Sequence, residues 1–117
     1  VFSQYIRFKN GVNGYIRCCT CGNIEPPEDC DAGHYVSREC KALRWDERNV
    51  WPQCRSCNRF HEGRKDEFAL FLVKHLGPDI LQELNRAKYI PHKLDSLQLQ
   101  ETIKLYQQKI KELHETG

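Results

Sequence analysis

Two cysteine pairs carry the clearest chemistry in this 117-residue sequence: Cys18-x-x-Cys21, followed by Gly22, and Cys54-x-x-Cys57. Thirty-two residues lie between Cys21 and Cys54. A Cys-x-x-Cys in a tight turn sets two thiolates on adjacent corners of a tetrahedron, about 2.3 Å from a metal ion. Two such pairs therefore point to a four-thiolate structural Zn²⁺ site. Gly22 suits the turn, because backbone N–H groups approaching the sulfurs often need positive φ there. The competing reading is a set of buried thiols or disulfides, which would not explain the paired spacing. Cys19, Cys30 and Cys40 have no spacing for a second tetrahedral site and read as buried or half-buried thiols. Between the pairs lies Asp31-Ala-Gly-His-Tyr35, whose His34 is the histidine in a plausible catalytic frame.

The elements that must hold these groups follow from the pattern around them. Val1 to Lys9, with Phe2, Tyr5 and Ile6 apolar, reads as a short amphipathic helix or strand that covers the zinc module, ended by the turn Asn10-Gly-Val-Asn-Gly14. Tyr15-Ile16-Arg17 leads as a strand into the first cysteine pair. Consecutive prolines make Glu25 to Asp29 a loop. Asp31 to Ser37 is expected to be a strand with Ala32, His34 and Val36 on one face and Asp31, Gly33 and Tyr35 on the other. After a loop over 38–48, Asn49-Val50-Trp51 reads as a second strand, and Pro52-Gln53-Cys54 as the turn into the second pair. A helix is then expected from near Cys57 to about His75, with Phe60, Phe68, Phe71, Leu72 and Leu76 apolar and Gly77-Pro78 as its stop.

The last third differs in character. Pro78 and Asp79 suit the start of another helix, and Pro91 separates it from a final helix at about Leu94 to Glu115. Leu99, Ile103, Tyr106, Ile110 and Leu113 make a coiled-coil stripe over roughly two heptads. Two heptads are marginal alone, so the stripe either packs back on the domain or pairs with a second copy as a homodimer. The chain divides accordingly into a zinc-stabilised domain over 1–86 and a helical extension over 87–117.

Composition narrows the class. Seven cysteines is an odd number, there is no apolar leader, and no run approaches 18 apolar residues. A secreted disulfide scaffold and a membrane span both fit poorly, and a reducing, cytoplasmic setting is expected. The absence of methionine makes Val1 read as an internal position of a longer chain. A net charge of +2 neither demands nor excludes nucleic acid.

Cysteine pair, hairpin, second pair and helix is the order of a treble-clef module. Cys18-x-x-Cys21, Gly33-His34, Asn49 and Cys54-x-x-Cys57-Asn58 resemble the HNH, or ββα-metal, endonuclease superfamily with a four-cysteine zinc. The longer strings Asp31-Ala-Gly-His-Tyr-Val-Ser-Arg38, Leu43 to Val50 and Pro52 to Phe60 resemble the phage NinG (Rap) recombination proteins. The resemblance covers roughly Val1 to Leu84. It implies a metal-dependent, structure-specific endonuclease acting on branched DNA recombination intermediates, leaving 5′-phosphate and 3′-hydroxyl ends.

The resemblance also implies roles. His34 matches the general base, Asn49 the asparagine that ties the inter-strand loop and orients the histidine, and Asn58 a ligand of a catalytic Mg²⁺ or Mn²⁺. Many HNH enzymes place an acidic residue or histidine immediately before the base, and here that position is Gly33. Asp31 ranks first as the missing ligand, brought inward by a bulge at Gly33. Glu62 ranks second, at i+4 from Asn58 on one helical face, with His61 at i+3. Arg38, Lys41, Arg44, Arg48, Arg55 and Arg59 surround the site in sequence and suit DNA phosphates, as do Arg64 and Lys65. Asp46, Glu47 and Glu62 among them make a mixed solvated surface the plainer alternative. Trp45 and Trp51 could stack on unpaired bases, although tryptophan more often packs in a core. His34 could itself be a core histidine, and Asn58 a helix cap.

The fold class expected is α+β: a small treble-clef zinc module, β-hairpin plus helix, with additional C-terminal helices. Two other functions compete with the nuclease. One is a zinc-stabilised DNA-binding module without catalysis, and the other is an adaptor working through its coiled-coil stripe.

Overall fold

Phe2 and Ile6 are one helical turn apart, and α1 (Phe2–Lys9) buries both. The helix ends where the Asn10 side-chain amide donates to the Ile6 carbonyl at 2.8 Å. In the computed structural model, which describes residues 1–12, 14–89 and 96–116, a three-stranded antiparallel sheet follows. Its strands β1 (Gly11–Val12), β2 (Tyr15–Arg17) and β3 (Ile24–Glu25) lie in sequence order. The turn from β2 to β3 carries the first cysteine pair. There the Cys18 N–H donates to the Asn23 carbonyl (2.8 Å) and the Gly22 N–H to the Cys18 carbonyl (3.0 Å), with Gly22 at φ +79°. Glycine takes that conformation without a Cβ penalty.

A single 3₁₀ turn, Pro27–Asp29, leads into β4 (Cys30–His34), which pairs antiparallel with β5 (Val50–Cys54). The register runs without interruption from Cys30 opposite Cys54 to His34 opposite Val50. Pro52 lies within β5, where a two-stranded sheet leaves an edge that tolerates its missing N–H. Its carbonyl accepts the Cys19 N–H at 2.9 Å, so the first cysteine turn is tied to the second sheet.

After β5 come one π-helical turn (Ser56–Phe60), α2 (Lys65–Leu76), α3 (Ile80–Ala87) and α4 (Ser96–Thr116). Gly77, at φ +99°, closes α2 by donating to the Val73 carbonyl. One apolar core joins Phe68 and Leu72 of α2, Ile80 and Leu84 of α3, and Leu43 from the loop between β4 and β5. A second joins Phe2 and Ile6 of α1, Val50 of β5 and Tyr106 of α4. Buried Cys18, Cys54 and Cys57 form a third. Among the described residues, no helix is long and apolar enough to cross a membrane.

The architecture is thus a small α+β arrangement of two antiparallel sheets and several helices, and it corrects the sequence reading in five places. The strand expected to reach Ser37 ends at His34, and the strand expected to end at Trp51 continues through Pro52, Gln53 and Cys54. The uninterrupted register also excludes a bulge at Gly33. The helix expected from Cys57 to His75 is broken. Glu62, Gly63 and Arg64 take φ of +53°, +77° and +45°, which no helical ladder can carry. The Gly63 N–H turns back to the Cys57 carbonyl instead (2.9 Å). Finally, Phe60 is 77% exposed rather than packed, because that break directs it away from the core.

The C-terminal stripe is divided. Tyr106 is buried against Phe2 and Tyr5, and Ile110 and Leu113 are half-buried, whereas Leu99 and Ile103 are exposed. Glu47 fastens this contact, accepting hydrogen bonds from Lys9 (3.1 Å), the Tyr106 hydroxyl (3.2 Å) and Lys109 (3.2 Å). Pro91 and Leu94, the expected helix boundary, lie outside the described residues.

Candidate active site and metal centre

The β2–β3 turn supplies Cys18 and Cys21, the end of β5 supplies Cys54, and the π turn supplies Cys57. Their four sulfurs all lie within 4.8 Å of one another. Cys21 and Cys54 are 3.7 Å apart, close to the edge of about 3.8 Å that four sulfurs 2.3 Å from one ion would make. Four thiols so crowded without a cation are electrostatically mismatched. Burial and the neighbouring thiols push Cys21 up to about 12. Burial also opposes ionisation of Cys18, but hydrogen bonds from Thr20 and from nearby backbone outweigh it and bring its pKa down to about 6. The Arg64 guanidinium donates to the Cys57 sulfur at 3.1 Å, which suits a thiolate set of net negative charge. The four cysteines can hold a metal such as zinc. Among the described residues this is the one group of three or more cysteine, histidine or acidic side chains gathered for a metal.

Cys19, Cys30 and Cys40 stand outside it. Burial pushes the Cys30 thiol up to about 11 and holds Cys19 far above the ordinary thiol range, while Cys40 donates to the Lys88 carbonyl at 3.6 Å.

His34, Asp31 and Asn58 line one cleft with Arg38, Arg59 and Lys65, of about 630 Å³. His34 is half-buried, with Nε2 2.9 Å from the Arg44 carbonyl. That carbonyl can only accept, so Nε2 carries the proton and the neutral ring keeps its lone pair on Nδ1. Burial holds the imidazole below its ordinary value of 6.5; the carbonyls of Arg44 and Ala32 pull the other way, and the charges of Arg38 and Lys65 add to the lowering.

Asn49 is wholly buried and accounts for the position of that carbonyl. Its Oδ1 accepts the Val36 N–H (2.7 Å), and its Nδ2 donates to the carbonyls of Val36 (3.0 Å) and Leu43 (3.1 Å). The loop is thereby pinned at the residue before Arg44.

Asp31 and Asn58, from β4 and the π turn, are brought together: Asn58 Nδ2 donates to Asp31 at 3.0 Å. Asn58 therefore does not cap a helix. Arg59 holds the same carboxylate through Nε (2.9 Å) and Nη2 (3.1 Å). Burial raises the Asp31 pKa, but the bonds from Asn58 and Arg59 and the arginine charge prevail, and the carboxyl stays below its ordinary range. A carboxylate and an amide oxygen are ligand types suited to a hard divalent cation that keeps several waters, while in this arrangement both carboxylate oxygens are engaged by Asn58 and Arg59.

Glu62 and His61 do not join them. The break at 61–64 removes the shared helical face, and both residues open onto a separate concavity with Phe60 and Asp66.

Gly33 has a physical reason. A Cβ there would lie 2.0 Å from Gln53 Oε1. Gln53 is fully buried, with Nε2 donating to Thr20 Oγ1 (3.1 Å) and to the Gly63 carbonyl (2.8 Å). No side chain can precede His34 while Gln53 stays there, so that position cannot supply a ligand.

The other basic candidates are dispersed. Arg48 is paired with Asp46 (2.9 Å) and Glu83 (3.4 Å), Arg55 donates to the Glu28 carbonyl, and Arg44 lies over the Trp45 ring. Lys41 borders a separate hollow beside Trp45 and Tyr106. The Trp51 ring packs edge-on against Phe71 (4.9 Å between centroids), and its indole N–H donates to the Arg48 carbonyl. Trp45 is half-buried in the α1–α4 core. Both indoles are thus packing elements in this arrangement. Sequence reasoning gave Lys65 only a place among the basic residues. It stands at the first turn of α2, donates to the His34 carbonyl and lines the cleft, and nothing in its sequence neighbourhood beyond its charge marked it. Ser3 of α1, which also reaches the cleft, gave none.

Fold and site define a class: a small α+β protein whose two sheets and π turn gather four cysteines able to hold a metal, with a basic cleft alongside. The chain belongs to the NinG family, described as Bacteriophage Lambda NinG protein, which it matches over residues 1–116. It is 29% identical over 117 aligned residues to protein ninG of Escherichia phage 933W, covering 90% of this chain and 55% of that protein. It is 28% identical over 116 residues to protein ninG of Salmonella phage P22 (92% and 56%) and over 117 residues to that of Escherichia phage lambda (90% and 54%). The chain thus spans about half the length of the curated relatives it matches. No solved structure matches it.

Proposed function

We propose that this chain is a metal-dependent endonuclease of the HNH, treble-clef type, acting on branched DNA recombination intermediates. The observation that carries the reading is His34: anchored through Nε2 on the Arg44 carbonyl, it keeps a lone pair on Nδ1 in the same cleft as Asp31 and Asn58. A structural zinc on Cys18, Cys21, Cys54 and Cys57 would hold β5, the π turn and the β2–β3 turn to one point.

In this mechanism a phosphodiester enters the cleft beside Arg38, Lys65 and Arg59. His34 takes a proton from a water aligned with the phosphorus. The water oxygen bonds to phosphorus, the P–O3′ bond breaks, and the 3′ oxygen leaves to be protonated, giving 5′-phosphate and 3′-hydroxyl ends. A Mg²⁺ or Mn²⁺ ion held by Asp31 and Asn58 would supply positive charge for the transferring phosphate and the departing oxygen. Asn49 acts at a distance, by fixing the loop whose carbonyl orients the imidazole. Two copies related by a twofold axis would place two such clefts on a four-way junction.

A second reading has its own observation. Asp31 is already bound by Arg59, as in a zinc-stabilised module that holds DNA and does not cut it. One experiment separates the two. A labelled four-way junction and a matched linear duplex are incubated with Mg²⁺, Mn²⁺ or EDTA and with wild type or His34→Ala, each carrying its zinc. Junction cutting that needs the added ion and vanishes in His34→Ala supports the nuclease. Equal junction binding with no cutting by either protein, also in the full-length relative, leaves the binding module.

A further inference from the structure

Arg59 sits where the cation of the proposed reaction would have to be. Its guanidinium engages both oxygens of Asp31 at 2.9 and 3.1 Å, and Asn58 donates to the same carboxylate at 3.0 Å. A divalent ion on that carboxylate needs the lone pairs that Arg59 now uses, and at that distance it repels a guanidinium strongly. The pair is unevenly placed: the Asp31 side chain is 18% exposed, but that of Arg59 is 55% exposed. Asp31 is therefore fixed in β4, whereas the long arginine side chain, which already lines the cleft, can swing off the carboxylate toward the cleft mouth. Arg38 and Lys65 already line that cleft, so an incoming phosphate would meet three cations there.

We propose that Arg59 is an exchangeable counter-ion. It neutralises Asp31 in the resting protein and moves to a DNA phosphate when Asp31 takes up a divalent cation. The inference rests on the nuclease reading only in placing that cation at Asp31 and Asn58. It makes the two ligands interdependent: DNA draws Arg59 away and frees the carboxylate, and by linkage the cation must strengthen DNA binding by the same factor. A static brace that only pins the π turn to β4 would give no such coupling.

The test measures Mn²⁺ affinity directly, by the electron paramagnetic resonance signal of free Mn²⁺. It uses zinc-loaded protein in a His34→Ala background so that DNA is not cut, with ion held by DNA alone subtracted. The parent is expected to bind Mn²⁺ more tightly when a four-way junction is present. Arg59→Gln is expected to bind Mn²⁺ about three- to tenfold more tightly than the parent without DNA, the range for a bidentate but partly exposed pair, and to gain little more when DNA is added. Arg59→Lys, which keeps the charge and loses the fork, should fall between. An Arg59→Gln affinity no tighter than the parent's overturns the proposal. Asp31→Asn reports on the reading beneath it: if that variant binds Mn²⁺ as well as the parent, the cation site lies elsewhere and the exchange falls with it.

Discussion

As the proposed general base, His34 would have to be neutral, and its surroundings decide at what pH that holds. Burial holds the imidazole below 6.5, so protonation should overtake it only in mildly acidic solution. The junction-cleavage rate at saturating Mn²⁺ should therefore rise with pH through a midpoint below 6.5 and level off on that limb toward neutrality; a midpoint above 6.5 would contradict this environment. The same shift bears on folding. Between the folded pKa and 6.5 the unfolded chain binds more protons, so stability falls as pH drops through that window. Asn49 carries a different load. Alanine there strands the buried Val36 N–H and the carbonyls of Val36 and Leu43, at a cost of about 3 kcal/mol. Urea denaturation of Asn49→Ala should show that loss. The four clustered cysteines were legible because metal chemistry imposes a spacing; His34 and Asn58 stood out only through the motif they resemble, and the structure brings both to one cleft. Arg59's grip on Asp31 was not, since an ion pair across 28 positions leaves no local pattern.

At the scale of elements, the β4–β5 hairpin and the break before α2 form one device. Gln53 reaches from β5 to Thr20 in the first cysteine turn and to Gly63 in the break, passing over Gly33. Gly33→Ala should force Gln53 out of both bonds, costing about 2 kcal/mol through the buried polar groups left unpaired. Gln53→Ala in the same chain should recover part of that loss. A double-mutant cycle in denaturant therefore has a definite sign: the pair of changes must cost less than the two added singly. The helix break shows why this was hidden. Phe60, Phe68, Phe71 and Leu72 read as one apolar stripe from sequence, but the positive φ at Glu62 and Arg64 is imposed by where Gly63 must meet Gln53, not by local propensity. The strand through Pro52 was hidden likewise, because proline signals a turn unless its N–H side faces an open edge.

For the whole molecule, the cysteine cluster is the point where both sheets and the π turn meet, so metal content and stability should move together. One zinc per chain is expected by atomic emission. Removing it with a strong chelator should lower the thermal midpoint and loosen the cleft, whereas Cys40→Ser, away from the cluster, should leave zinc content unchanged. The two-core layout was only half legible. The stripe on α4 was plain from its spacing, but which partner it takes was decided by Glu47, whose three donors come from α1 and α4. That closure also has a consequence in time. Phe2 rests on Tyr106 with ring centroids 4.7 Å apart, so the apolar face of α1 is made long before the helix that covers it. During synthesis the β-sheets and the cysteine cluster can form while α1 waits open, and loop closure over about a hundred residues is the slow, aggregation-exposed step. Of the elements described, α4 is then the one that completes the apolar core over α1.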